Sequence, residues 1–283
     1  MYAITGASGQ LGRLTIQQLV TSVAPNQIVA AVRNPAAAGD LAAQGIQVRQ
    51  ADYDRPETLA AAFAGVTKLL LISSNLTTGR VRQHQAVIVA AKAAGVGLIA
   101  YTSLLHADRS GAKLAQEHRE TEIALVASGL PTTLLRNGWY TENYLMALQP
   151  ALAGGAIQGA AAEGKISLAA RADYAAAAAA ALTTADRPRT YELAGDTAWT
   201  LSAFAAEIAR QAGKPVAYAD LPEAAYAAAL VSAGLPEDLA RLLADAEANA
   251  ARGALFEDGK ALSRLIGRPT TTVAQTIATA LQG

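Results

Sequence analysis

The chain has 283 residues, 52% hydrophobic and 16% charged, and its 23 basic and 23 acidic residues give a formal net charge of +0. This balance gives no reason to expect nucleic acid or an anionic membrane as partner. The 0 cysteines exclude disulfides and thiolate chemistry, and the 3 histidines lack metal-binding spacing. No basic leader precedes the first predicted strand and no apolar run reaches the ~18 residues of a membrane span, so we expect a cytoplasmic protein.

The first predicted element is an N-terminal strand that ends at Thr5, which a G-x-x-G-x-x-G turn joins to a helix over 14–20. Gly6 permits a tight turn, Gly9 lets the backbone approach a pyrophosphate, and Gly12 lets helix and strand pack closely. The helix N-terminus offers N–H groups to phosphates. A turn without a ligand is the alternative, but a strand before, a helix after and a second strand beyond favour dinucleotide binding.

The second predicted strand covers 27–33 and ends in Arg33. An acidic residue at this point usually binds the ribose 2′-hydroxyl of NAD, whereas an arginine accommodates the 2′-phosphate of NADP. The next acid, Asp40, lies seven residues further on. We therefore predict NADPH as cofactor, with a solvated arginine as the alternative.

Further strands and helices alternate as far as residue 150, which predicts an α/β fold with a Rossmann-type, doubly wound parallel sheet. Residues 1–150 are predicted to be the NADPH-binding domain. Residues 151–283 are predicted to form a smaller, mainly helical C-terminal lobe that is partly interleaved with the core and selects the substrate. The remaining predicted strands cover 46–51, 68–72, 98–102 and 132–136, with another at 190–195.

Polar residues follow two of these strands. Asp52 is either a cofactor contact or the N-terminal cap of a helix over 56–63. Ser73, Ser74 and Asn75 end the fourth strand, where small polar residues can line a cofactor cleft.

The chemistry is constrained by a missing pair of residues. Short-chain dehydrogenases use Tyr-x-x-x-Lys as acid and base, but none of the 9 tyrosines has a lysine four positions later. The expected region contains His118 and Glu122, which we interpret as a helix-surface pair, and His84 is likewise interpreted as a surface residue. A ketone would lack its proton donor. A quinone needs none, because its reduced anion can take a proton from water, so positioning against the nicotinamide suffices.

The segment 137–144 supplies suitable groups for such an acceptor. Asn137 and Asn143 carry amides, and Trp139 and Tyr140 carry aromatic rings. The alternative is that Trp139 and Tyr144 are core residues that pack between the lobes.

Several blocks of sequence carry a family signature. They are T-G-A-S-G-Q-L-G at 5–12, V-R-N-P at 32–35, Q-A-D-Y at 50–53, Y-T-S-L-L-H-A-D at 101–108, L-R-N-G-W-Y-T-E-N-Y at 135–144, Y-E-L-A-G-D at 191–196, W-T-L at 199–201 and L-I-G-R-P-T-T-T at 265–272. These blocks resemble the NmrA-like atypical short-chain dehydrogenases, and within that group the bacterial NAD(P)H:quinone oxidoreductases of type 2. The absence of Tyr-x-x-x-Lys agrees with that family.

The resemblance implies flavin-independent hydride transfer from NADPH to a quinone stacked in a cleft between the lobes, with Asn143 and Tyr140 as candidate catalytic residues. Reduction of planar cationic triphenylmethane dyes, or a non-catalytic redox sensor, are the alternatives, and a homodimer stays open. The implied cofactor-binding residues are Gly6, Ala7, Ser8, Gly9, Gln10, Leu11, Gly12, Arg33, Asp52, Ser73, Ser74, Asn75, Ser103, Asn137, Gly138, Trp139, Tyr140, Thr141, Glu142 and Asn143.

Overall fold

The computed structural model describes residues 1–76, 78–184 and 188–282. The strands are β1 (Tyr2–Thr5), β2 (Ile28–Val32), β3 (Gln47–Gln50), β4 (Lys68–Leu71), β5 (Leu98–Leu104), β6 (Thr132–Asn137), β7 (Ala156–Gly159), β8 (Thr190–Leu193) and β9 (Ala217–Asp220). The helices are α1 (Gln10–Leu19), α2 (Gly39–Ala43), α3 (Glu57–Ala62), α4 (Arg80–Ala93), α5 (Lys113–Ser128), α6 (Thr141–Leu145), α7 (Leu148–Gly154), α8 (Arg171–Thr184), α9 (Leu201–Ala212), α10 (Glu223–Ser232), α11 (Glu237–Ala250), α12 (Ala261–Ile266) and α13 (Val273–Gln282).

Seven strands form one sheet in the order β3-β2-β1-β4-β5-β6-β8. The pairs β1–β2, β1–β4, β2–β3 and β4–β5 are parallel, with Tyr2 opposite both Ile28 and Lys68. Every residue of β2 and β5 is buried. Strands of a parallel sheet are covered on both faces, which explains why β2 is an uninterrupted apolar run. The predicted Rossmann-type fold is confirmed.

A second, two-stranded sheet pairs β7 with β9 in parallel. The sequence analysis predicted neither strand. Gly159 is the last residue of β7. Four-residue strands carry too few positions for an alternating pattern to stand out.

The chain divides into two compact units, each built from three segments. Unit 1 comprises Met1–Leu104, Glu117–Arg136 and Tyr174–Tyr191, and unit 2 comprises Leu105–Gln116, Asn137–Asp173 and Glu192–Gly283. The core of unit 1 includes Phe63, Leu69, Leu71, Val87, Ile99 and Tyr101. The core of unit 2 includes Trp139, Tyr144, Ile166, Leu201, Phe204 and Ile277.

No helix in the described part of the chain is both long and apolar enough to cross a lipid bilayer.

Candidate active site

The glycine turn between β1 and α1 is tightly constrained. Gly6 has a φ of +59°, in the left-handed region that favours glycine, and its carbonyl accepts a hydrogen bond from the Gly9 N–H at 2.9 Å. A Cβ atom on Gly12 would lie 2.5 Å from the Gly6 carbonyl oxygen and 2.7 Å from the Ala7 Cα. Helix α1 therefore approaches the turn more closely than a side chain at position 12 would allow.

The N-terminus of α1 is suited to an anion. Gly9 precedes the helix without a side-chain cap, and the first turn holds no acidic residue. Ser8, Gly9 and Gln10 are exposed. The first N–H groups of a helix lack partners inside it and lie at the positive end of its dipole, so this turn can receive a pyrophosphate.

Arg13, which the sequence analysis did not single out, braces this turn. Its Nε donates to the Ser8 carbonyl at 3.2 Å, its Nη2 donates to the Ala37 carbonyl at 3.3 Å, and its guanidinium forms a salt bridge with Asp40. The hydrogen bond from Arg13 lowers the pKa of Asp40. The turn and the segment after β2 are thus held together within unit 1.

Arg33, predicted to select the cofactor, follows β2, and Asp52, a predicted cofactor contact, follows β3. Arg33 is exposed directly after β2, and its carbonyl accepts a hydrogen bond from Gln50 Nε2 at 3.3 Å. Asp52 Oδ1 accepts a hydrogen bond from the Asp54 N–H at 3.0 Å. The helix-cap interpretation of Asp52 is wrong, since Pro56 precedes α3 and Asp52 instead closes its own turn. Cofactor contact by either residue stays a prediction.

The segment after β4 carries Ser73, Ser74 and Asn75, and hydrogen bonds with buried side chains hold its backbone. The Ser73 N–H donates to Thr102 Oγ1 and the Ser74 N–H donates to His84 Nε2, both at 2.9 Å. The Ser74 carbonyl accepts from Arg80 Nε at 2.8 Å. These contacts hold the backbone after β4 in one place.

The surface interpretation of His84 is wrong. Its side chain is fully buried, with Nδ1 3.0 Å from Thr121 Oγ1, and its ring meets the Tyr101 ring edge-on at 5.3 Å between centroids. Burial, and to a lesser extent the charge of Arg80, lowers the pKa of His84 to about 3. His84 is therefore a neutral support for the segment after β4.

His118 and Glu122 are also buried, so their interpretation as a helix-surface pair is wrong. His118 Nδ1 lies 2.7 Å from the Tyr101 hydroxyl, and burial lowers the pKa of His118 well below its usual value. Glu122 accepts hydrogen bonds from Ser103 Oγ at 2.5 Å and from Arg136 Nε at 2.9 Å. The hydroxyl of Ser103, a predicted cofactor-binding residue, thus donates its hydrogen bond to Glu122.

In unit 2, residues 137–143 form a short turn and the start of α6. The Gly138 N–H donates to the Leu193 carbonyl at 2.7 Å, and the Thr141 N–H donates to the Ala169 carbonyl at 3.0 Å. The Thr141 side chain is fully buried. Trp139 and Tyr144 are core residues, as the alternative predicted, and the core they belong to is that of unit 2. Their packing between the lobes stays a prediction. The aromatic ring of this turn outside that core is therefore Tyr140, which is partly exposed.

The polar side chains of this turn gather around Tyr140. Asn137 Nδ2 lies 3.5 Å from the Tyr140 hydroxyl, and Asn137 is buried with no partner for Oδ1 among the described residues. Asn143 Oδ1 accepts a hydrogen bond from Arg171 Nη2 at 3.4 Å. Both oxygens of Glu142 accept the Arg171 N–H, at 2.9 and 3.0 Å. Unit 2 therefore brings together both candidate catalytic residues, Tyr140 and Asn143.

Arg171 is the residue here that the sequence analysis missed. It follows a segment without a clear hydrophobic pattern, at the start of the alanine-rich helix. No pattern in the residues around it indicates a contact with residues almost thirty positions earlier. Its approach to Tyr140 and Asn143 is a tertiary contact.

Comparison with known proteins places this geometry in a family. Residues 6–185 match a family described as NAD(P)H-binding. The chain belongs to the NAD(P)H-binding family. It is 58% identical to quinone oxidoreductase 2 of Escherichia coli strain K12 over 278 residues, which cover 98% of this chain and 97% of that protein. The resemblance to bacterial NAD(P)H:quinone oxidoreductases is confirmed.

Two solved structures are similar over almost the whole chain. The NADPH-dependent quinone oxidoreductase of Escherichia coli in complex with NADPH has a TM-score of 0.97 and 57% identity, covering 99% of this chain and 100% of that one. The triphenylmethane reductase of a Citrobacter species in complex with NADP(H) has a TM-score of 0.94 and 38% identity, with the same coverage.

Proposed function

We propose that this member of the NAD(P)H-binding family is an NADPH-dependent quinone oxidoreductase that works without a flavin. The observation that carries the proposal is 58% identity to a named quinone oxidoreductase across nearly the full length of both chains. At this coverage the similarity extends along the whole chain and is not confined to the glycine turn.

The chain's residues fit NADPH. The glycine turn leaves the first N–H groups of α1 uncapped and free of neighbouring acids, as a pyrophosphate requires. Arg33 stands exposed after β2, where a 2′-phosphate would be bound. Asn137 Oδ1 is a buried acceptor without a partner in the described residues, and a carboxamide N–H₂ would satisfy it. NADPH, when bound, supplies the hydride.

The proposed reaction adds hydride to a quinone and yields the hydroquinone monoanion and NADP⁺. A proton from water then completes the hydroquinone. The chain has only to hold the acceptor ring against the reduced nicotinamide and to stabilise the new negative charge. The Tyr140 ring provides a flat surface, and the Asn143 amide provides a donor.

Reduction of triphenylmethane dyes is the second candidate, favoured by the 38% identity to the Citrobacter reductase. Such dyes are also planar and delocalised, but they are cations that become neutral when they accept hydride.

Three assignments complete the proposal. Residues 1–150 bind NADPH, and residues 151–283, of which 151–184 and 188–282 are described, select the substrate. The protein acts in the cytoplasm. A homodimer is compatible with the exposed apolar residues Ile123 and Val126 on α5.

The test is NADPH oxidation at 340 nm by purified, flavin-free protein, with a small benzoquinone or a triphenylmethane dye as acceptor. Quinone-dependent oxidation above the uncatalysed rate supports the proposal, and faster turnover of the dye supports the second candidate. Tight NADPH binding with no turnover of either acceptor would contradict both and indicate a sensor.

A further inference from the structure

The Arg171 side chain lies against both candidate catalytic residues. Its guanidinium carbon is 4.9 Å from the centroid of the Tyr140 ring, and its Nη2 donates to Asn143 Oδ1 at 3.4 Å. A cation over an aromatic face at this distance is attracted by the ring. The guanidinium is thus held within unit 2 by one ring and one amide oxygen.

Among the residues that the structure describes, this cation forms no salt bridge with a carboxylate. The two fully buried arginines of the described residues do pair with acids: Arg80 with Glu117 at 2.8 Å and Arg136 with Glu122 at 2.7 Å. In the part of the chain that the structure describes, Arg171 forms no such pair. The nearby carboxylate of Glu142 is directed at the Arg171 backbone N–H instead. A partly buried guanidinium without a salt bridge therefore stands beside Tyr140 and Asn143.

The same contact orients Asn143. Because its Oδ1 accepts from Arg171, the Nδ2 amino group must point the other way, and within the described residues it donates to no protein acceptor. An amide held like this presents two N–H donors to an oxygen of a bound ligand. The Arg171 guanidinium and the Asn143 N–H groups together favour a negatively charged ligand atom at this place.

We propose that Arg171 sets the charge preference for the electron acceptor, favouring neutral and anionic quinones over cationic dyes. This inference rests on the proposed function. Hydride addition turns a neutral quinone into a monoanion, which the guanidinium stabilises as the charge develops. Hydride addition turns a cationic dye into a neutral product, so the same guanidinium repels the dye before the reaction and gains nothing during it. One side chain thus acts with opposite sign on the two acceptor classes.

The test compares Arg171→Met, Arg171→Lys and the control Arg252→Met. Methionine keeps much of the length of the side chain and removes the charge, and lysine keeps the charge. Arg252 is an exposed arginine of unit 2 that lies outside the 137–143 turn, so its variant controls for net charge. The Arg171 N–H bond to Glu142 comes from the backbone and survives each substitution, so the start of α8 should be preserved.

Kinetics are measured with a neutral naphthoquinone, a sulfonated naphthoquinone and a cationic triphenylmethane dye. For Arg171→Met we expect kcat for the neutral quinone to fall roughly tenfold and KM for the sulfonated quinone to rise by a similar factor. KM for the dye should fall, and Arg171→Lys should restore most of the preference. Arg252→Met should behave as the wild type.

A binding measurement provides a readout without turnover. The anion of a 2-hydroxynaphthoquinone is titrated into each protein in the presence of NADP⁺, by calorimetry. Its affinity should fall roughly tenfold in Arg171→Met and stay unchanged in Arg252→Met. Equal losses for all three acceptors, or an unchanged preference, would overturn the inference while leaving the quinone reductase in place. Absence of quinone turnover in the wild type would instead remove the proposed function.

Discussion

The Ser74 backbone N–H donates to Nε2 of His84 at 2.9 Å, across ten residues of sequence. Because Nε2 is an acceptor in this bond, the proton of the neutral ring lies on Nδ1, which faces Thr121 Oγ1 at 3.0 Å. Protonation of Nε2 would place two donors against each other. The hydrogen bonds and the burial of the ring thus both indicate that His84 is neutral. The neutral ring supports the segment that carries Ser73, Ser74 and Asn75.

We therefore predict that His84 does not titrate between pH 8 and pH 5. Its pKa is lowered to about 3 from a usual 6.5, so the stability it contributes is present above 6.5 and is lost as the pH falls toward 3. Nitrogen-15 spectra of the histidine rings should show an Nδ1–H tautomer over that range. The variant His84→Gln assigns the signal, and conversion of that signal to the cation near pH 6.5 would contradict the prediction.

The parts of the fold that were predictable are those in which the cause is local. The residues that determine the glycine turn and the apolar strands are only a few positions apart in the sequence. The position of Arg33 at the end of β2 was predictable for the same reason, because Arg33 directly follows the apolar run. The lengths of these elements differ from the prediction by only a few residues.

The unpredicted parts depend on partners that are distant in sequence. His118 and Glu122 look like surface residues because nothing near them shows that Tyr101 and Arg136 will cover them. Arg171 reaches Asn143 across 28 positions. Contacts of this kind are set by topology, which brings strand ends together, and no periodicity in a single sequence records them.

Replacement of Arg33 by alanine should weaken NADPH binding by about 1.5–3 kcal/mol, as expected for the loss of a charge-assisted hydrogen bond to the 2′-phosphate. NADH binding should change little because NADH lacks that phosphate. Titration calorimetry with both nucleotides measures the difference. Arg55→Ala removes an exposed arginine of the same unit and is the control. An equal loss for NADPH and NADH in Arg33→Ala would show that Arg33 does not read the phosphate.

Replacement of Gly12 by alanine should destabilise the protein by about 1–3 kcal/mol, since the new Cβ meets backbone atoms of Gly6 and Ala7 that cannot yield without moving the turn. Gly39→Ala is the matched control, because a Cβ there meets nothing within 4 Å. Urea unfolding measures both, and nucleotide titration of Gly12→Ala should show weakened binding. Wild-type stability and affinity in Gly12→Ala would mean that the close approach is not required.

Unit 2 contains a buried carboxyl group that the proposed reaction does not use. Glu247 is 3% exposed, and it accepts hydrogen bonds from the Ala160 N–H at 2.7 Å and from the Tyr226 hydroxyl at 3.1 Å. Burial raises the pKa of Glu247 to about 7, against the lowering effect of these two donors. The native protein therefore binds a proton at this site between pH 4.5 and pH 7 that the unfolded chain does not bind.

Stability should consequently fall as the pH rises through this range, since the unfolded state binds fewer protons than the native state. Glu247→Gln cannot ionise, keeps a carbonyl acceptor for Ala160, and can donate its amide to the Tyr226 hydroxyl. In the wild type we expect the free energy of unfolding to fall by at most about 3 kcal/mol between pH 5 and pH 8, and we expect Glu247→Gln not to show this fall. Urea unfolding at the two pH values measures it, with the exposed Glu223→Gln as control. If the wild type and Glu247→Gln changed in parallel between pH 5 and pH 8, Glu247 would already be ionised in the native protein below neutral pH, and the two hydrogen bonds would outweigh its burial.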